Sequence, residues 1–541
     1  MSRPRAATVR WVSQALFLAA YLALFGLTVQ RFSGAAPVSE FLKLDLLVAV
    51  VAQVASRTLI PELVVFGAAI VVLTLVAGRA FCGWICPLGS LIDLSDWLWF
   101  RRRRPKPRDL RPFKYYLLVG VLVSALVGAS ATFLLDPIVL LTRSLTIAVF
   151  PAAQLGLRSA SETLQAPFLY QPLEWKGLVP ETQVYFAMNW LVLAIFAAVF
   201  ALSAWGRRFW CRNLCPLGAL LGLLSRARLL NKRGTEACNQ CGRCALECRG
   251  QAITRDGQIT NPSECVDCYH CVAICPTRAL DVRLARAAPG ALASARDDST
   301  SGREGRLDLS RRRLMQAAAL GLGWAAVVKT SPGAKQAVTG VQTASDALLR
   351  PPGALPEAAF LDRCIRCGAC LKVCPTNALH PALQEAGFEG FWSPILVPRI
   401  GGCVQGCVAC PQVCPTGAIQ PFTAEEKKAL FIGTARIDRS ACIVWNADKA
   451  CLVCDEQCSY RAIRWEEVEG VRRPFVIEEK CVGCGLCEYH CPVQPVAAIR
   501  AYSQGDKRDW SRAHQREYQE SAARAIKAAE KKLPNVEKKS N

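Results

Sequence analysis

Histidine is scarce in this chain. His270, His380, His490 and His514 are the 4 present among 541 residues. None lies in a long apolar stretch, which excludes a histidine pair ligating haem inside a membrane. No Cys-x-x-Cys-His occurs, so covalent c-type haem is excluded as well. The long apolar stretches also hold almost no charge, with Glu62 near one end as the exception. An ion pump needs ionisable groups within its spans, so that class ranks last. No nucleic-acid-binding motif accompanies the formal charge of +22. The basic residues sit beside apolar stretches, as in Arg101, Arg102, Arg103, Arg104, Lys106 and Arg108, and read as the positive-inside bias of a membrane protein.

Four apolar stretches lie near 11–29, 59–77, 115–135 and 185–204. Each is about 20 residues, the length that crosses a hydrocarbon core as a helix. The first follows Arg3, Arg5 and Arg10 but precedes no clear small-residue cleavage site, so it reads as a span and not a signal peptide. The loops 78–114 and 205–233 carry nine and seven Lys or Arg, against three in each of 30–58 and 136–184. That asymmetry places the N-terminus and the two basic loops in the cytoplasm. The region is duplicated: Gly78-Arg-Ala-Phe-Cys-Gly-Trp-Ile-Cys-Pro-Leu-Gly89 recurs, with one insertion, as Gly206-Arg-Arg-Phe-Trp-Cys-Arg-Asn-Leu-Cys-Pro-Leu-Gly218. A looser match pairs Asp45 with Asp136. Two parallel hairpin repeats place a functional site at their interface.

Cysteine dominates what remains, with 28 residues. All fall in runs with short gaps, a pattern suited to thiolate ligation and not to disulfide bridges. Cys238, Cys241, Cys244 and Cys248 form one quartet, and Cys265, Cys268, Cys271 and Cys275 a second, followed by Pro276. This is the bacterial two-cluster ferredoxin spacing, in which the fourth thiolate crosses to the neighbouring cluster. One cluster is therefore expected on Cys238, Cys241, Cys244 and Cys275, the other on Cys265, Cys268, Cys271 and Cys248. Four further quartets follow: Cys364/Cys367/Cys370/Cys374, Cys403/Cys407/Cys410/Cys414, Cys442/Cys451/Cys454/Cys458 and Cys481/Cys484/Cys487/Cys491. The second of these has one extra residue in its first gap, and the third has eight residues there. Spacing does not say which of these quartets pair. Structural zinc prefers two CxxC knuckles well apart, so six repeated triads favour six [4Fe–4S] clusters. His270 and His490 sit beside cluster cysteines as packing neighbours, since each quartet is complete without them.

Cys82-x3-Cys86-Pro87 and Cys211-x3-Cys215-Pro216 stand apart. A step of four puts both thiols of a pair on one helical face. Packed about a two-fold axis, the four can converge on one more metal or cluster centre; two structural thiol pairs are the alternative.

The expected fold is a four-helix transmembrane region of two repeated hairpins plus α+β bacterial ferredoxin-like domains. Its divisions are 1–235 (membrane), 236–284 (two clusters), 285–309 (linker), 310–330 (signal or anchor), 331–359 (linker), 360–502 (four clusters) and 503–541 (charged tail). Ser310-Arg-Arg-Arg-Leu-Met315 before a short apolar run reads as a twin-arginine export signal, with a weak membrane anchor as the alternative.

On these motifs, residues 1–285 resemble the NapH-type membrane ferredoxins of periplasmic nitrate-reductase systems. Residues 310–502 resemble the exported NapG-type four-cluster ferredoxins, through Arg350-Pro-Pro-Gly-Ala354, Cys364-Ile-Arg-Cys-Gly368, Cys410-Pro-Gln-Val-Cys-Pro-Thr-Gly417 and Ile432-Gly-Thr-Ala435. Methylamine-utilisation ferredoxins are related. Here both parts stand in one chain, so the export signal is internal. The resemblance implies a quinol dehydrogenase of the bacterial inner membrane. It would pass electrons from the quinol pool to a periplasmic redox protein such as a nitrate reductase, with the first cluster domain cytoplasmic and the second periplasmic. The competing class is a redox-sensing or metalloenzyme-assembly protein using the same clusters.

Overall fold

The computed structural model describes residues 3–30, 37–99, 110–130, 132–165, 183–253, 261–284, 310–329 and 348–504, with 170, 171 and 174. The expected basic run 101–108, the linker 285–309, most of the linker 331–359, nearly all of the tail 503–541 and His514 lie outside them. The chain divides into two compact units. The first comprises Met1–Gly26, Val38–Ala148 and Met188–Val327, and the second Leu27–Pro37, Val149–Ala187 and Val328–Asn541.

The helical part departs from the four equal spans expected. Two helices are long and apolar enough to cross a membrane by length and composition, Thr8–Leu27 and Pro137–Thr163. The expected spans at 59–77, 115–135 and 185–204 form the shorter helices Pro61–Ala77, Arg111–Leu126 and Asn189–Ala201. The third stops early because Gly128 takes a left-handed φ of 78°. Helix Pro137–Thr163 lies in what the sequence suggested was a loop. Arg143, Ser144 and Thr146 interrupt its hydropathy, and Pro151 reads as a breaker. A π turn over Leu145–Val149 precedes Pro151, which then falls in the first turn of the next helical stretch, where its missing N–H leaves no bond unmade. A second unexpected helix, Leu46–Ser56, is mostly buried. Asp45 and Asp136 cap these two helices, each taking two backbone N–H groups.

Three ferredoxin-like folds carry the cysteine quartets. In the first unit, strand Leu230–Gly234 pairs antiparallel with Leu280–Leu284 and closes a loop around the short helices Arg243–Leu246 and His270–Ile274. In the second unit a bridge from Ala354 to Ile419 closes around helices Ala369–Val373 and Ala409–Gln412. Strand Thr434–Ile437, paired with Ile499–Tyr502, closes around Val453–Glu456 and Leu486–His490. Inner hairpins Leu379–Pro381/Pro394–Leu396 and Ile463–Val468/Val471–Val476 complete the last two folds. Each is an α+β ladder too small to bury a large core, and its cysteines form much of what it buries.

Candidate metal centres

The regular triads share one backbone device. The residues on either side of the second cysteine are left-handed: Gln240 and Gly242, Asp267 and Tyr269, Arg366 and Gly368, Gly483 and Gly485. Successive left-handed turns fold the chain around a point and aim backbone N–H groups inward, a concavity that receives anionic sulfur. The residue three after the fourth cysteine is left-handed too, at Gln251, Arg278, Asn377, Gly417 and Arg461. Backbone N–H groups reach the sulfurs directly: Ala252 to Cys248 at 3.3 Å, Ala462 to Cys458 at 3.2 Å, and Ala435 to Cys481 at 3.2 Å.

The thiols gather by fours, and always as a triad plus one thiol from a neighbouring quartet. Cys238, Cys241 and Cys244 line a cavity with Cys275, and Cys265, Cys268 and Cys271 line one with Cys248. In the second unit Cys364, Cys367 and Cys370 meet Cys414. Cys403, Cys407 and Cys410 lie against Cys374. Cys442, Cys451 and Cys454 meet Cys491, and Cys481, Cys484 and Cys487 meet Cys458. The undetermined pairing is thus resolved as first with second and third with fourth.

The donor chemistry fits iron–sulfur cubanes. Among the described residues no three or more His, Cys, Asp or Glu side chains draw together tightly enough for a single metal ion. The cavities lined by Cys364 and by Cys442 each bring four thiols from two quartets around one space. Burial pushes the Cys367, Cys454 and Cys484 thiols up to about 12 and Cys248 to about 11, so thiolates there require a cationic group at their centre. His270 lines the cavity of Cys248, Cys265, Cys268 and Cys271 and lies 4.0 Å from Glu247, while the His380 ring bonds the Asn377 carbonyl at 2.9 Å.

The CxxxCP pairs also converge, though not as one face of a regular helix. Cys82 lies in the π turn Phe81–Ile85, while Cys86 is the N-cap of helix Pro87–Leu98. Cys211 lies in the short helix Phe209–Asn213, while Cys215 caps helix Pro216–Leu224, its sulfur accepting from Gly218 N at 3.3 Å. The prolines cause this, since each can open a new helix but cannot continue the old one. The Cys215 sulfur lies close enough to those of Cys211, Cys82 and Cys86 for all to act on one another electrostatically. Two arginines that the sequence reading passed over frame the group. Arg208 donates to the Cys82 carbonyl at 2.8 Å and lies against Gly89. Arg79 lies against Gly218. Each arginine thus reaches from its own repeat into the other. The available signal was an Arg three residues before the first cysteine of both copies.

This thiol group abuts the first ferredoxin fold within the same unit. Trp84 Nε1 donates to Asp267 O at 2.9 Å, and a Cβ on Gly83 would lie 2.1 Å from Val266 O. Val266 and Asp267 stand between Cys265 and Cys268. Around the contact, Lys114 pairs with Glu264 at 2.5 Å, and Arg228 and Lys232 hold Asp267. Asp93 receives Arg10, Arg208 and Arg249, the last directly following Cys248.

Comparison with known proteins agrees. A 4Fe–4S binding domain profile matches residues 59–107 and 186–233, the segments that carry the CxxxCP pairs. Another 4Fe–4S binding domain profile matches 360–380, a 4Fe–4S dicluster domain profile matches 449–494, and the NosR profile matches 236–286. The methylamine utilization ferredoxin-type protein MauM of Methylorubrum extorquens is 37% identical over 171 residues, covering 30% of this chain and 76% of that protein. The ferredoxin-type protein NapH of Haemophilus influenzae is 27% identical over 235 residues, 41% of this chain and 69% of its own length. The regulatory protein NosR of Pseudomonas aeruginosa is 29% identical over 199 residues, 36% of this chain but 22% of NosR. No solved structure matches. The chain is an iron–sulfur electron-transfer protein, and it belongs to the family of ferredoxin-type proteins built on 4Fe–4S binding domains.

Proposed function

We propose that this protein is a membrane-bound quinol dehydrogenase component that passes electrons singly through six [4Fe–4S] clusters to a periplasmic redox partner, a nitrate reductase being one example. The quartets grouped above hold the six clusters, and Cys82, Cys86, Cys211 and Cys215 hold a further centre. Bound there, such clusters supply one-electron transfer; the thiolates fix them, and backbone N–H groups and lysines such as Lys232 stabilise the charge. The observation that carries the reading is the contact of the Cys82–Cys86 loop, through Gly83 and the Trp84 indole, with the backbone of Val266 and Asp267 in a cluster loop. It gives an electron a covalent and hydrogen-bonded route between the helical region and the clusters.

The proposed sidedness is supported by which loops each cluster domain touches. In the first unit the basic loops meet the first domain through Arg79, Trp84, Lys114 and Arg228. In the second unit the arginine-poor segment 149–187 meets the larger domain. There Lys372 sits 3.7 Å over the Phe150 ring, and Asn377 bonds Tyr185 O at 3.4 Å. The first domain is then cytoplasmic and the second periplasmic, exported behind Ser310-Arg-Arg-Arg-Leu-Met315, whose helix Arg311–Lys329 remains as an anchor. Helices long enough to span, Thr8–Leu27 and Pro137–Thr163, support an inner-membrane location, with the shorter apolar helices packed into a four-span or larger bundle.

The test is anaerobic titration of the reconstituted full chain with a quinol analogue, following cluster absorbance and paramagnetic signals. Bleaching at quinol potentials is expected. Reduction by dithionite alone would overturn quinol oxidation and favour a redox-sensing or assembly role, the reading that the NosR match over 236–286 supports.

A further inference from the structure

Asp45 and Asp136 occupy matching places in the two repeats, and both are 0% exposed. Each uses one carboxyl oxygen to cap a helix. Asp45 Oδ1 accepts from Leu47 N at 2.9 Å and Val48 N at 3.3 Å, and Asp136 Oδ1 accepts from Ile138 N and Val139 N at 3.0 Å each. The second oxygen of each, Oδ2, is buried and finds no donor among the described residues. The two carboxyl groups instead lie within hydrogen-bonding reach of one another. Two ionised carboxylates facing each other repel, and burial strips both of hydration. One proton between them turns that repulsion into a short charge-assisted hydrogen bond and satisfies both orphaned oxygens at once.

The geometry points to a proton-binding site: Asp45 and Asp136 hold one proton between their Oδ2 atoms. Duplicating the aspartate in each repeat is what brings two carboxyls to one place.

Infrared spectroscopy of the full chain tests the shared proton. Wild type is expected to show a protonated-carboxyl stretch that moves in D2O and vanishes in Asp45→Asn/Asp136→Asn. Asparagine keeps both helix caps, and unchanged cluster signals check that the variant folds. A wild type without the band, or a double variant that retains it, overturns the proposal.

Discussion

Asp93 shows how one residue ties the helical region to a cluster loop. Burial alone would raise its carboxyl, but Arg208, Arg249 and Arg10 together hold it well below the usual carboxylate range. Asp93→Asn removes the carboxylate that pairs with three clustered guanidinium groups, and should cost about 3–5 kcal/mol. Because the folded pKa is depressed, the stabilisation is complete above the unfolded value of about 3.9 and drains away as pH falls below it. Thermal unfolding of both proteins against pH checks this: their difference should be full near neutrality and shrink in acid, and a gap independent of pH would contradict it. Nothing in sequence spacing marked Asp93 or Arg249, which lie 156 positions apart. Arg79 and Arg208 were better signposted, standing at the same offset before a repeated cysteine motif.

At the scale of elements, spacing was legible wherever loops are regular. Four triads place left-handed residues on both sides of the second cysteine, and a φ of 77° at Gly485 shows why glycine serves there. The longer gaps before Cys407 and Cys451 take another path: Val408 and Leu452, which follow the second cysteines of those triads, have φ of −122° and −115°. Which quartets exchange their fourth thiolate depends on which folds close on each other, and no local spacing encodes that. Double variants check the pairing. Cys458→Ala combined with Cys484→Ala should lose no more iron than either alone, because both serve one site. Cys458→Ala combined with Cys454→Ala should lose two clusters' worth, although those two cysteines read as one quartet by sequence. Equal losses in both pairs would refute the grouping. Close approach of elements also needed the structure. Helix Arg311–Lys329 meets Arg111–Leu126 at Gly321, where a Cβ would lie 2.6 Å from Gly120 O.

For the whole molecule, charge asymmetry between loops and the choice of cluster domain agree within each unit, and they yield a topology test. An epitope inserted in the Glu469–Gly470 turn, between strands Ile463–Val468 and Val471–Val476, should be reached by antibody on intact spheroplasts. One inserted within 285–309 should be reached only after lysis. Labelling of both, or of neither, before lysis would contradict the proposed sidedness.

The sequence by itself determined the chemistry of this protein. Twenty-eight thiols in short repeats, with 4 histidines and no haem motif, leave iron–sulfur clusters as the group they suit, because ligand spacing along a chain is a local property. The tertiary structure decided what is not local. It brought four CxxxCP thiols from two repeats together, paired the last four quartets, and set two capping aspartates face to face. It also made a helix of Pro137–Thr163, where hydropathy had suggested a loop. Each of these depends on contacts between residues far apart in the chain, which only closure of the fold creates.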